Sequence, residues 1–85
     1  VSVIAELRVM PEDPEDSLEP LTGRIRSALG EKLKSIREEP IGFGIAALRL
    51  IVLVEDREGG MGPIEEALKK VDGVGQIDVV SLDLA

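Results

Sequence analysis

The run Ile45–Val54 constrains this chain more than any other segment. Its only charge is Arg49, and aliphatic side chains occupy both parities: Ala46, Leu48, Leu50, Val52 and Val54 on one, and Ile45, Ala47, Ile51 and Leu53 on the other. Such a run reads as a central strand, with neighbours on both edges. A chain of 85 residues supports one domain. A domain of this size buries only about 60–65% of its unfolded surface, so it has one core and no deep enclosed cavity. The remaining elements must assemble around this strand.

The other elements follow from periodicity. Val1–Met10 alternates, with Val1, Val3, Ala5, Leu7 and Val9 on one face and Ser2, Ile4, Glu6 and Arg8 on the other, as in a strand with one buried face. Pro11 ends it, and Glu12–Asp16 is an acidic, proline-containing loop. Ser17 is a helix N-cap, Glu19 lies in the first turn, and Pro20 is tolerable there. Leu18, Leu21, Ile25, Ala28 and Leu29 form the apolar stripe, and Gly30 supplies the C-cap. Leu33–Glu38 is predicted as a short polar edge strand whose basic side chains discourage edge pairing, and Glu39–Gly44 as a turn. Glu55–Gly62 is a glycine-rich loop. Pro63 fits the first position of a second helix with an inner stripe of Ile64, Ala67, Leu68 and Val71, ended by Gly73. The last strand, Gly75–Leu84, changes parity between Val79 and Val80, which predicts a bulge there. The order βαββαβ predicts an α+β, ferredoxin-like sandwich. Two helices cover one face of a four-stranded antiparallel sheet, and Val1–Met10 and Ile45–Val54 are the central strands.

Composition excludes most chemistry. The chain has no cysteine and no histidine, which removes thiolate sites, disulfides, the usual general base and the commonest metal ligand. Glu12, Asp13, Glu15 and Asp16 lack the spacing of a calcium loop. Gly59-Gly60-Met61-Gly62 lacks the Lys-Ser/Thr of a phosphate-binding loop. Glu38 and Glu39 are neighbours on an extended segment and point apart. The formal charge of −7 opposes nucleic-acid binding, and the central strands lack the aromatics on which an RNA-recognition motif stacks bases. Arg24, Arg26, Lys32, Lys34 and Arg37 form one basic cluster, read either as a solvated helix face and edge strand or as a docking patch. No apolar run reaches the roughly 18 residues of a membrane span, so a soluble, cytoplasmic protein without a cofactor is expected. Few amides among many ions point to a thermophile composition.

Two features point to a partner. The sheet face without helices is partly apolar, with Ile4, Ile45, Ala47, Ile51 and Leu53 mixed with Glu6, Arg8 and Arg49. The only aromatic residue, Phe43, stands between two glycines in Pro40-Ile41-Gly42-Phe43-Gly44-Ile45. Glycine permits unusual backbone angles and close approach of another surface. The ring is therefore either a wedge presented outward or a side chain folded back over the core from a tight turn.

The stretch Glu38-Glu39-Pro40-Ile41-Gly42-Phe43-Gly44-Ile45-Ala46-Ala47-Leu48 resembles the signature of the translation elongation factor 1-beta family in its short archaeal form. Arg8-Val9-Met10-Pro11, Ser17-Leu18-Glu19, Glu58-Gly59-Gly60 and Val71-Asp72-Gly73-Val74 follow that family's order, so the resemblance spans the chain. It implies a ferredoxin-like guanine nucleotide exchange factor that binds the GTPase elongation factor 1-alpha and speeds release of GDP, acting by protein binding without bond chemistry. It further implies that the Phe-bearing turn (Ile41, Gly42, Phe43 and Gly44) and the carboxy-terminal residues Leu82, Asp83, Leu84 and Ala85 contact the GTPase. Eukaryotic relatives carry a lysine near that end, whereas Ser81–Ala85 has no lysine or arginine, so no tail residue takes a catalytic role. The alternative tenant of the fold is a regulatory ligand-binding or oligomerising domain. A monomer that co-purifies with a large GTPase is expected of an exchange factor, and a ligand-dependent dimer of the rival.

Overall fold

Alternation in the first residues becomes strand β1 (Ser2–Pro11), which buries Ala5, Leu7 and Val9 and turns Ile4, Glu6 and Arg8 to the opposite side. A computed structural model of the protein describes residues 2–13, 17–55 and 61–84. Helix α1 (Leu18–Leu29) begins where the Ser17 hydroxyl accepts a hydrogen bond from the Glu19 amide at 3.4 Å. It ends at Gly30, whose φ of +57° suits glycine. Strand β2 (Leu33–Gly42), strand β3 (Ile45–Glu55), helix α2 (Met61–Lys69) and strand β4 (Val74–Leu84) complete the βαββαβ order.

The sheet order is β2-β3-β1-β4, with every neighbouring pair antiparallel. Thus β1 and β3 are central and β2 and β4 are edges, as the sequence predicts. Leu18, Leu21, Ile25 and Leu29 of α1 and Ile64 and Leu68 of α2 pack on Leu7, Val9, Leu48, Leu50, Val52 and Val54. Each fully buried aliphatic side chain contributes about 1.5–3 kcal/mol relative to exposure. Ala28, expected in the α1 stripe, is exposed instead. The buried positions recur at 18, 21, 25 and 29, so residue 28 falls on the shoulder of the stripe and lines a shallow groove beside Val71.

The predicted bulge is present: Glu6 registers with Ser81 and Leu7 with Val79, so Val80 has no partner on β1. Three expected boundaries move by more than one residue. Helix α2 ends at Lys69, so Val71 of its expected inner stripe lies past the helix, in the turn that leads to Gly73. Strand β2 does not stop at Glu38 but continues through Pro40 to Gly42, because a proline on an edge strand can leave its missing N–H on the solvent side. Helix α2 begins at Met61, which puts Pro63 within the first turn rather than at its first position. Most of the expected loop Glu55–Gly62, including Gly59 and Gly60, lies outside the described residues, as do Glu15 and Asp16.

Gly75 is a close-approach glycine. It is the residue left over between the rungs Met10–Gln76 and Pro11–Val74. A Cβ added there would lie 2.9 Å from the Pro11 carbonyl oxygen and 3.0 Å from the Glu12 Cα, both backbone atoms that cannot rotate away. Gly75→Ala is expected to destabilise the fold by about 1–3 kcal/mol, read as a lower thermal midpoint by circular dichroism. A melt equal to wild type would contradict this contact.

Candidate partner-binding site

Strands β2 and β3 meet in a two-residue turn. Gly42 pairs with Ile45, and Phe43 and Gly44 between them have φ of +56° and +74°. Positive φ at both central residues defines the type I′ turn, whose twist suits a hairpin and which favours Asn-Gly. Phe43 is the only described residue other than glycine with a positive φ. Its ring has 101% relative exposure, so it touches none of its own core. Of the two readings of the glycine-flanked ring, the structure shows the outward one. Ile41 is skipped between the rungs Pro40–Ala46 and Gly42–Ile45, and its side chain is also exposed. The tip therefore presents two apolar side chains, Ile41 and Phe43, on a backbone shaped by Gly42 and Gly44.

This tip stands beyond the sheet. The rungs between β1 and β3 end at Val9–Leu48, whereas β2 and β3 stay paired as far as Gly42–Ile45. Residues 39–47 therefore form a two-stranded ribbon. At its base, Arg49 Nε donates to Glu39 Oε2 at 2.8 Å and Arg49 Nη2 to Glu39 Oε1 at 2.7 Å, while Glu6 Oε1 lies 3.6 Å from Arg49 Nη1. The hydrogen bonds from Arg49, joined by the positive charges of Arg49, Arg8 and Arg37, hold the Glu39 carboxyl below its ordinary range. Because the folded value lies below the unfolded one, the pair stabilises fully above the ordinary carboxylate range. That contribution is lost as pH falls through the folded value. The thermal midpoint of wild type should exceed that of Glu39→Gln at pH 7, with the gap closing as pH falls below the ordinary carboxylate range. A gap independent of pH would contradict the ion pair.

The carboxy-terminal candidates lie elsewhere. Leu82 registers with Ala5 and Leu84 with Val3, at the opposite end of the sheet. From Val3 to Val9, the last β1 residue registered with β3, β1 advances about 20 Å. The ribbon carries Phe43 further still along a molecule 39 Å long. Leu82, Asp83 and Leu84 are exposed, and Ala85 lies outside the described residues. The structure thus brings Ile41, Gly42, Phe43 and Gly44 together at one end and sets Leu82–Leu84 at the other. The basic cluster is divided as well. Arg24 donates to the Asp72 carbonyl at 3.1 Å in the helix layer, whereas Arg37 registers with Arg49 on the open sheet face. On that face Ile4 is exposed, Ile51 and Leu53 are half-buried and Ala47, beside the Glu39–Arg49 pair, is fully buried. Among the described residues no cluster of carboxylates could hold a metal ion, and no helix is long and apolar enough to cross a membrane.

Fold and tip together place an exposed apolar turn at one end of a four-stranded sheet covered by two helices. Residues 4–84 match the family described as the EF-1 guanine nucleotide exchange domain. The chain belongs to this family of exchange factors. Similar curated proteins carry the name Elongation factor 1-beta. That of Methanosphaera stadtmanae is 43% identical over 81 residues, covering 94% of this chain and 92% of the relative. That of Methanothermobacter thermautotrophicus is 43% identical over 82 residues, with the same coverage. That of Methanocaldococcus jannaschii is 37% identical over 87 residues, covering 99% and 98%. Among solved structures, the ACT domain from the GTP pyrophosphokinase of Chlorobium tepidum superposes with a TM-score of 0.63 at 20% identity, covering 94% of this chain and 88% of that one. At that identity the likeness shows the ferredoxin-like fold alone.

Proposed function

We propose that this protein accelerates GDP release from translation elongation factor 1-alpha, with Phe43 inserting into the GTPase and Leu82–Leu84 making a second contact. The observation that carries this reading is the state of Phe43. An aromatic residue at φ +56° is strained, and one with 101% exposure gains nothing from its own core. A chain that keeps such a residue at the end of a ribbon has placed it for another surface. The separation of the two candidate contacts suits a partner lying along the long axis of the sheet.

The mechanism is thermodynamic coupling. A factor that binds the nucleotide-free GTPase better than the loaded one lowers nucleotide affinity by the same ratio. Burying one Phe side chain contributes about 1.5–3 kcal/mol, which is roughly a 10- to 150-fold change in affinity. Confined to the nucleotide-free complex, that burial is large enough to matter, and it acts together with the neighbouring contacts. No bond is made or broken, in keeping with a chain that lacks histidine and cysteine.

Release of a fluorescent GDP from elongation factor 1-alpha tests the assignment. Wild type is expected to accelerate release, and Phe43→Ala to lose at least about tenfold of that acceleration. A folded Phe43→Ala protein with undiminished exchange would remove Phe43 from the mechanism.

A further inference from the structure

The ribbon bearing Phe43 needs a means of holding its direction. Two-stranded ribbons twist more than wider sheets, and an isolated hairpin is marginally stable. Beyond Val9–Leu48 no rung ties the ribbon to β1. Arg49 lies one residue before that fork. It is still registered with Arg8 of β1, and on its other side with Arg37 of β2. Three arginines in one rung of an open face oppose one another. Asp78 lies 3.7 Å from Arg8, and Arg49 takes both oxygens of Glu39 and approaches Glu6.

The Arg49 contacts have a definite mechanical sense. Glu39 registers with Ala47, so it belongs to the outer strand of the ribbon, past the fork. Glu6 belongs to β1, inside the sheet. One guanidinium therefore joins the free ribbon to the central strand across the point where backbone pairing stops. The Arg49 side chain is only 16% exposed, and the bidentate pairing fixes its plane as well as its position. An aliphatic residue would have continued the apolar run equally well at this position.

We infer that Arg49, through Glu39 and Glu6, is a positioning residue that sets the direction in which the ribbon presents Phe43 to the GTPase. The inference rests on the proposed role of Phe43 and adds to it the element that orients the ring. Arg49 lies in a different rung from the tip and acts through the ribbon rather than by touching the partner. Lysine, a point charge without the planar fork, should hold the ribbon only in part.

A double-mutant cycle on GDP release decides the matter, using the full chain and elongation factor 1-alpha. Arg49→Met keeps the aliphatic stem and removes the fork. It is expected to slow exchange about five- to tenfold when Phe43 is present and less than about twofold in the Phe43→Ala background. Arg49→Lys should fall between Arg49→Met and wild type. Glu39→Gln should reproduce the Arg49→Met pattern, and it carries the cycle if Arg49→Met does not fold. A merely structural role, or direct contact of Arg49 with the GTPase, gives the same fold-loss in both backgrounds, and that result overturns the inference. So does wild-type exchange by folded Arg49→Met. If Phe43→Ala alone exchanges like wild type, the reading of the tip itself fails. If Phe43→Ala is slow and the Arg49 effect is merely additive, only the positioning role fails.

Discussion

Phe43→Asn is expected to yield a protein that is more stable than wild type and much slower in exchange. The substitution completes the Asn-Gly pair that a type I′ turn favours, and asparagine tolerates the φ of +56° better than phenylalanine does. Relief of this strain is worth about 1 kcal/mol, or about 4–8 °C in the thermal midpoint of a domain this size. No burial is lost in compensation, because the ring is wholly exposed. Exchange should fall by roughly 10- to 150-fold, the affinity equivalent of one buried Phe. Opposite signs for stability and activity distinguish a residue kept for a partner from one kept for the fold. A melt and a GDP-release assay on the same preparation are sufficient. A variant both less stable and fully active would contradict the account.

Leu50→Ala is expected to show the reverse. Leu50 has no solvent exposure, registers with Leu7 on one side and Ile36 on the other, and lies at the centre of the core. Truncation of a buried leucine costs about 2–5 kcal/mol, part lost transfer energy and part cavity. A domain of this length has roughly 4–13 kcal/mol in total, at 0.05–0.15 per residue. One substitution therefore removes a large share of the stability. Urea denaturation should show a lower midpoint with an unchanged slope. A shift below about 1 kcal/mol would mean that the helices do not pack on β3 as described. While the variant remains folded its exchange should persist, because Leu50 packs in the helix-side core, on the opposite face of β3 from Arg49 and its ion pairs.

The fold was legible where a single physical rule decided each residue. Alternation in β1 names the buried Ala5, Leu7 and Val9, and a slip of parity in the last strand locates the extra residue at Val80. Ser17 and Gly30 mark the ends of α1 because each answers a local demand, one for an acceptor and the other for a left-handed φ. Boundaries failed where a rule has an exception set by context. Glu39–Gly44 reads as a turn, yet β2 runs on to Gly42, because an edge strand accommodates Pro40. Ala28 reads as core, yet the helix stripe is narrower than the pattern of small and apolar residues suggests.

The site was half legible. Isolation of one aromatic between glycines identified Phe43, but sequence could not choose between a ring folded inward and one presented outward. That choice depends on the turn type, which the spacing between the paired residues determines. The resemblance pointed to the tip and the carboxy-terminal segment together, and only the register shows them at opposite ends of the sheet. The Arg49–Glu39 pair was missed. Its signal was present: one charge inside an aliphatic strand, with an opposite charge ten residues earlier across a hairpin. Reading it requires knowing that the earlier strand continues through Pro40.

The most direct test of the central claim uses the fact that the chain has one phenylalanine. Biosynthetic incorporation of 4-fluorophenylalanine places a single fluorine at position 43, and its ¹⁹F resonance reports on the surroundings of the ring. In the free protein the line should show the full H₂O/D₂O solvent shift of an exposed ring. On addition of nucleotide-free elongation factor 1-alpha it should move, broaden and lose that solvent shift. A line that keeps its full solvent shift while backbone amides show the complex has formed would contradict the insertion of Phe43 into the partner.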